Sequence, residues 1–543
     1  MWEQSHRRRS LDGESFDIAI VGGGINGVAM ARQCAAAGRC TILVEQNDFA
    51  SGTTSRSTRI IHGGLRYLEH GEIGLVRESL RERERLLRTK PHLVRSMRFL
   101  LALPAGRRSA LEVRFGLWLY RRFTHGGRAV RPAGEIAQLE RALDHGERWS
   151  VLDYDDAQCE FPERLVAEWL TDALATGAEA RNYTQALQVE VAGGRVRGLR
   201  LRDRLDGTEF HIEAKWVINA SGPWADAVAR RAGIRNVRMV GGVRGSHLVL
   251  PRFPGAPQSA VYTEALDGRP IFVIPWNGEL LVGTTEVDDT GDPGSTQPSE
   301  PEIDYLLASA QRLFPAAALR RDEICYATAG VRPLPFSPGN PLAAITRRHV
   351  LHDHRDDGGA GMISLIGGKL TTAAAVAREC SRKIGIEVAE PQYDTVVEAG
   401  EIERAVSTCL GEAGAGGQVT KEMAHAAVSW FGHAGVEIVR SAAGDERLRA
   451  PLCDASPHMV AEAMHALHKE SAVTLGDVLL RRAPVALAGG WSHEQTRQAA
   501  ERIGEAAGWS WERVECELDE FEREREQFLV KVGQTASVSA PRH

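Results

Sequence analysis

The chain of 543 residues is 43% hydrophobic and 25% charged, with 55 Gly and 23 Pro, a globular balance that excludes disordered and fibrous proteins. Against 72 Asp and Glu stand 66 Lys and Arg, and the net charge of −6 gives no general electrostatic reason to bind nucleic acid. The length suits about two to four domains, and no apolar run is long enough to span a bilayer, so the chain is expected to be soluble or at most surface-attached.

The N-terminal MWEQSHRRRS has the basic start of a signal peptide, but the apolar run behind it carries Asp17 and ends in three glycines. That run reads better as a buried strand over 16–21, and no export is expected. Gly22-Gly23-Gly24-Ile25-Asn26-Gly27 follows, then a helix over 28–37, a strand over 40–44 and an acid, Glu45. In this strand, G-x-G-x-x-G, helix, strand, acid order, Gly22 turns the chain and Gly24 lets a pyrophosphate approach the backbone. Gly27 allows close helix–strand packing, Ile25 and Asn26 open the helix toward the phosphates, and Glu45 accepts from ribose hydroxyls. The unit binds a dinucleotide, NAD or FAD. The hydroxyl-rich loop after it, with Thr53, Thr54, Ser55 and Ser57, suits the pyrophosphate and ribityl chain of a flavin.

Further along, residues 75–90 form a charged amphipathic helix with a solvated face. Residues 114–123 mix aromatics with arginines, which suits a half-buried helix, or a seat on a membrane surface. A strand over 215–219 leads into the small turn Ala220-Ser221-Gly222, a second place where backbone can approach the cofactor. Strand-like runs at 246–250, 271–275 and 279–283 lie between cofactor segments, so a second domain is interleaved with the first. A strand over 361–366 ends at Gly367-Gly368-Lys369, which opens a helix from Leu370 onward. Beyond 390 the texture turns to Ala, Glu and Arg at helical spacing, with helices at 468–482 and 492–528 and no motif. The eight cysteines form no C-x-x-C pair, so no zinc site or cysteine-ligated cluster is legible, and their scatter suits a reducing cytosol.

Ile61-His62-Gly63-Gly64-Leu65-Arg66-Tyr67-Leu68-Glu69 resembles the signature of the FAD-dependent glycerol-3-phosphate dehydrogenases. Six further stretches fall in that family's order: Asn219-Ala220-Ser221-Gly222-Pro223-Trp224, Gly245-Ser246-His247, Gly283-Thr284-Thr285, Gly330-Val331-Arg332-Pro333-Leu334, Ala344-Ile345-Thr346-Arg347 and Gly367-Gly368-Lys369-Leu370-Thr371-Thr372. The resemblance covers residues 15–390. Departures are Ala29 and Gln33 in the first helix, Phe161-Pro162-Glu163-Arg164-Leu165 where the family has Asp-Asp-Ala-Arg-Leu, and Ala373-Ala374 where it commonly has Tyr-Arg.

The resemblance implies an α/β fold: a Rossmann-like FAD-binding domain (segments 15–90, 150–235 and 325–390) interleaved with a mixed-sheet substrate domain (91–149 and 236–324). An all-α domain over 391–543 follows. It further implies oxidation of sn-glycerol 3-phosphate to dihydroxyacetone phosphate, with hydride passing to the flavin and electrons on to a quinone. The expected location is the cytoplasm, peripheral to the cytoplasmic face of the inner membrane. His247 is the expected base, Arg332 the stabiliser of a developing alkoxide, and Lys369 a positive charge beside the flavin. Arg66, Tyr67, Thr284 and Arg347 would bind substrate, several convergent cations suiting a phosphate dianion. His62, Gly63, Leu370 and Thr371 would join the flavin contacts. Rival readings are an oxidase using oxygen, a different polyol phosphate or amino-acid substrate, and a flavin-binding protein without turnover. For the C-terminal helices, capping, homodimer formation and membrane docking stay open.

Overall fold

The structure, a computed structural model, describes residues 8–533 apart from 66, 68–70, 105–109, 124–128, 235–237, 266, 343–344, 389–399, 413–418 and 455. Along the chain the strands are β1 (Glu14–Val21), β2 (Thr41–Val44), β3 (Ile60–Ile61), β4 (Val94–Pro104), β5 (Trp149–Cys159), β6 (Glu179–Arg181), β7 (Thr184–Ala192), β8 (Arg195–Asp203) and β9 (Glu209–Asn219). They continue with β10 (Val240–Leu250), β11 (Ala260–Glu264), β12 (Pro270–Trp276), β13 (Glu279–Gly283), β14 (Val287–Asp288), β15 (Tyr326–Pro335), β16 (Val350–Asp353) and β17 (Met362–Ile366). The helices that matter below are α1 (Ile25–Ala36), α2 (Ile73–Thr89), α3 (Ala110–Arg122), α4 (Pro162–Ala175), α5 (Glu300–Leu313) and α6 (Ala373–Lys383), then, in the C-terminal region, α7 (Val460–Lys469), α8 (His493–Ala507) and α9 (Trp511–Phe528).

The first sheet runs β16-β17-β9-β1-β2-β6, with β7 and β8 joined as a meander on β9. From β17 to β6 every neighbouring pair is parallel. Alternate residues of β1 feed two cores, as expected of a parallel strand covered on both faces. Ile18 and Ile20 join α1, α4 and α6 on one side, and Ala19 and Val21 join the meander on the other. Helix α1 lies so close over β1 that a Cβ on Gly27 would stand 1.8 Å from the carbonyl oxygen of Gly22. No residue but glycine fits there.

The second sheet runs β14-β10-β13-β12-β11-β4-β5-β3, with β15 on the other edge of β10. Helix α5 covers one face, where Leu306 and Ala310 meet Leu248 and Val282. The C-terminal helices cover the other, where Leu475, Leu479 and Phe521 meet Val249, Ile274 and Tyr326. The α/β class, the interleaving and the all-helical C-terminal region therefore stand as read from the sequence. Strands β5 and β15, however, lie in stretches assigned to FAD binding (150–235 and 325–390) and pair in the second sheet. Helix α6 starts at Ala373 and not at Leu370, because Gly367 and Gly368 both take positive φ (79° and 90°) and keep the chain in a turn. The helix read over 492–528 is two, α8 and α9, divided at Gly508 in left-handed conformation (φ 68°). That read over 468–482 is the end of α7 and a separate helical stretch, with Ser471 at φ 57° between them.

A buried ion cluster ties the C-terminal region to the first sheet. Asp48, three residues past the acid that ends β2, accepts from Arg481 Nε at 2.5 Å and from Arg482 Nη1 and Nη2 at 2.7 and 2.8 Å. Burial alone would raise the Asp48 carboxyl, but the two guanidiniums outweigh it and hold it below the usual range. Its contribution to stability is thus present above the ordinary carboxylate pKa and is lost only as pH falls below it. Among the described residues no helix is long and apolar enough to cross a membrane. Replacing Asp48 by Ala leaves the buried Arg482 guanidinium without its carboxylate, while Arg481 keeps Asp477 and Glu524, and we expect a loss of about 3–5 kcal/mol, measured by denaturant unfolding. A loss below 1 kcal/mol would show the cluster to be dispensable.

Candidate active site

A cavity of about 740 Å³ opens between the two sheets. On the first-sheet side its wall is made of strand ends. Because β17, β9, β1 and β2 are adjacent and parallel, four stretches far apart in sequence meet at one edge: Gly367–Thr371, Ala220–Gly222, Gly22–Asn26 and Glu45. This is where open parallel sheets hold ligands. Gly22 has φ 112°, and a Cβ on it would stand 2.6 Å from the Ala220 carbonyl oxygen. Gly368 likewise leaves room for the Asn26 side chain, 2.7 Å from where its Cβ would be. Helix α1 has no side-chain cap from its N-cap residue and no acid in its first turn, so the positive end of its dipole is left to an anion. Thr54 accepts from the Ile25 amide at 3.1 Å. The Glu45 carboxylate is raised by burial and accepts from the Gly23 and Asn47 amides at 2.7 and 2.9 Å. Each of its oxygens keeps a lone pair for a hydroxyl.

The second sheet supplies the polar groups opposite. Register sets His247 in β10 across from Gly283 in β13, which has no side chain to strike the imidazole. Gly245 in β10 makes the same allowance for Arg332 in β15, whose Nη2 lies 2.3 Å from where a Cβ would be. His247 Nε2 is 3.0 Å from Thr58 Oγ1, and Nδ1 is buried without a hydrogen-bond partner. Burial first, then Arg332 and Arg59, lower this imidazole to about 3, so it is neutral at physiological pH. Arg332 donates to Thr284 Oγ1 at 2.8 Å and to the Thr285 carbonyl at 3.3 Å. Arg347 donates through Nη2 to Glu286 at 2.7 Å, while its Nη1 is buried and unpartnered. Lys369 Nζ rests 3.9 Å from the centre of the Tyr67 ring, also buried without a hydrogen-bond partner. Burial, helped by Arg347 and opposed by Glu72 and Glu78, brings Lys369 down to about 7. His62 is lowered to about 4 by burial, Lys369 and Arg83.

Of the expected site residues, Gly22, Gly24, Ile25, Asn26, Glu45, Thr53, Thr54, Ser57, His62, Tyr67, Ala220, Ser221, Gly222, His247, Thr284, Arg332, Arg347, Gly367, Gly368, Lys369, Leu370 and Thr371 all line this one cavity. Three do not. Ser55 is buried with its hydroxyl on the Ala50 carbonyl, Gly27 serves the helix–strand contact, and the Gly63 amide donates inward to the Tyr120 hydroxyl. Arg66 lies outside the described residues. Ala373 and Ala374, where the chain departs from the family pattern, also miss the cavity and pack in the core beside α1. The sequence reading missed several residues. Arg269, Glu286, Arg348 and Tyr262 line the second-sheet side, and Arg481, Glu524 and Gln527 of the C-terminal region close another wall. It also missed Glu302, which accepts from both Ser246 Oγ (2.9 Å) and Thr285 Oγ1 (2.7 Å) and so braces the neighbours of His247 and Thr284. The Ser299-x-x-Glu302 capping box was its only local signal.

Residues 17–374 match the model of the FAD dependent oxidoreductase family, and residues 362–514 match that of the C-terminal domain of alpha-glycerophosphate oxidase. A glycerol-3-phosphate dehydrogenase of Synechocystis sp. is 36% identical over 546 residues, covering 96% of this chain and 98% of its own. A D-erythritol 1-phosphate dehydrogenase of Brucella abortus is 37% identical over 371 residues, covering 66% of this chain and 71% of its own. Among solved structures, the glycerol-3-phosphate dehydrogenase from Bacillus halodurans complexed with FAD shares the fold with a TM-score of 0.75 at 23% identity. That match covers 95% of this chain and 96% of that one.

The electrostatics of Lys369 give a pH dependence with a definite sign. Its charge is lost as pH rises through about 7, so the cavity should bind a dianion less tightly above that pH than below it. Sulfate keeps its charge across the range, and calorimetric titration should show its affinity falling by up to about tenfold per pH unit above the lysine's pKa. Lys369→Arg should flatten the profile; an unchanged profile would free Lys369 of the role.

Proposed function

The chain belongs to the FAD-dependent oxidoreductase family and, within it, to the glycerol-3-phosphate dehydrogenases, and on that premise we propose that it oxidises sn-glycerol 3-phosphate to dihydroxyacetone phosphate. The observation that carries the substrate is the group of three cations, Arg332, Arg347 and Lys369, facing one cavity with unused buried donors on two of them. A single carboxylate needs one such partner; a phosphate dianion uses several.

The residues fit FAD. Gly22, Gly24 and the uncapped start of α1 would take the pyrophosphate, Glu45 a ribose, and Thr53, Thr54 and Ser57 the linking chain. The turns at Ala220–Gly222 and Gly367–Thr371, with His62, would border the ring system. Bound there, FAD supplies the acceptor for the hydride leaving the carbinol carbon. The chain's own part is to hold the phosphate and take the hydroxyl proton. His247 is neutral, so its free lone pair can accept that proton. Arg332 is one cause of its low basicity, and a phosphate dianion beside that guanidinium would offset the effect. Substrate binding thereby makes its own base stronger. Arg332 also offers a positive field to the developing alkoxide, and Tyr67 and Thr284, which line the same cavity, would orient the hydroxyls.

For the electrons, the reading we favour is delivery to a quinone at the cytoplasmic face of a membrane. Helix α3 buries Leu117 and Tyr120 but exposes Phe115 (63%) and Trp118 (58%), which stack at 5.7 Å between Arg114 and Arg121. An aromatic pair rimmed by arginines suits an anionic lipid surface. The match of 362–514 to the alpha-glycerophosphate oxidase domain favours a second acceptor, oxygen.

Mixed anaerobically with sn-glycerol 3-phosphate, the purified flavoprotein should lose its oxidised-flavin absorbance rapidly, while glycerol leaves it unchanged. Faster bleaching by erythritol 1-phosphate would move the substrate assignment to the longer polyol. Stoichiometric hydrogen peroxide in air would decide for oxygen over quinone. Arg332→Ala should weaken binding of the phosphorylated substrate by roughly 1.5–3 kcal/mol per charge-assisted bond and leave the binding of free glycerol untouched; equal losses of affinity on both would undo the phosphate role. His247→Ala should slow flavin reduction by about 10²–10⁴-fold with little change in substrate Kd.

A further inference from the structure

On the outer edge of the first sheet, away from the cavity, His352 lies one residue before the end of β16 and His354 opens a 3-10 turn over His354–Asp357. Strand spacing sends residues 352 and 354 to the same side. In a 3-10 turn residues three apart eclipse, so Asp357 falls in line with His354. The result is one carboxylate oxygen shared by two imidazoles: Asp357 Oδ2 is 2.7 Å from His352 Nε2 and 2.9 Å from His354 Nδ1. One nitrogen or oxygen from each of the three residues lies within 4.8 Å of the others.

The surroundings prepare the three groups. Asp353 caps the turn by accepting from the Arg355 amide at 3.0 Å, which leaves Asp357 free of that task. Gly358, left-handed at φ 86°, ends the turn directly behind it. The far nitrogen of His354, Nε2, is held by Ser364 Oγ at 2.8 Å, and Ser364 is held in turn by Asn219 Nδ2 at 3.0 Å. Metal-binding histidines are characteristically oriented in this way by a partner on the second ring nitrogen. His354 is buried, whereas the His352 side chain is 34% exposed, so the group is reachable from solvent.

We propose that His352, His354 and Asp357 form a binding site for a divalent transition-metal ion of the zinc class. Two imidazole nitrogens and one carboxylate oxygen are the donor set such ions take at about 2.0–2.2 Å, with water as the fourth ligand. Asn219 also holds the Ser221 hydroxyl at 2.6 Å, so the site braces the strand that leads into the cofactor turn. The ion would act there as a clip on the sheet edge and take no part in the oxidation.

The test uses the full-length, flavin-loaded protein, stripped with a chelator and re-equilibrated with Zn²⁺ alone. Elemental analysis after gel filtration should find one zinc per chain, and Zn²⁺ should raise the unfolding temperature. Co²⁺ in its place should show the visible bands of a low-coordinate nitrogen and oxygen site. His352→Ala, at an exposed position, and Asp357→Asn should each weaken Zn²⁺ at least tenfold and abolish the thermal shift, with flavin content unchanged. No retained zinc in the wild type, or equal zinc in wild type and both variants, would overturn the assignment.

Discussion

The site depends on four neighbouring strands, β17, β9, β1 and β2, all running in the same direction. A parallel sheet must send the chain away and back between strands, so its strand ends gather stretches from opposite parts of the sequence. Here they gather a glycine turn, an acid, a small-residue turn and a Gly-Gly-Lys turn into one wall. The tolerance of that wall is small. Gly27 and Gly22 meet at a distance that no Cβ survives, and Gly22 in turn leans on Ala220. The cofactor edge is rigid because backbone packs on backbone there.

The opposing wall follows a different logic. It is an antiparallel surface with glycines where the large functional side chains lie: Gly283 is the register partner of His247, and the Arg332 guanidinium reaches over Gly245. Removing side-chain bulk at the partner position lets an imidazole and a guanidinium lie flat over a sheet at depth. The cost is desolvation, visible in the lowered pKa values of His247, Lys369 and Arg332. The part of the cavity where Arg332, Arg347 and Lys369 gather, with Glu286 bonded to Arg347, is poised for a ligand that brings negative charge.

What could be read from the sequence was what local spacing encodes. The strand–glycine–helix–strand–acid unit is contiguous, and its residues fall where the pattern puts them. The substrate side was reached through a resemblance of ordered motifs, and the structure gathers His247, Arg332, Arg347 and Lys369 around the same space. Misreadings came where a residue type has two uses. Ser55 sits in a hydroxyl-rich loop but spends its hydroxyl on a turn, and Gly63 looks like a cofactor glycine but faces Tyr120. The places of Glu302, Arg481 and Glu524 at the site could not be read, since nothing in the local sequence tells a capping glutamate or a helix arginine which distant segment it will meet.

The Asp48–Arg481–Arg482 cluster joins residues 433 and 434 positions apart. Chains are synthesised at about 5–20 residues per second, so roughly 20–90 s separate the emergence of these partners from the ribosome. For that interval the carboxylate beside the acid strand stays in water with no guanidinium to neutralise it, and the cavity lacks the wall that carries Arg481 and Glu524. The nucleotide end of the site is begun first and finished last. A nascent chain gains the last strand of the cofactor edge, β17, before the C-terminal wall, so capture of the cofactor in its final enclosure becomes a late event, coincident with docking of the C-terminal helices.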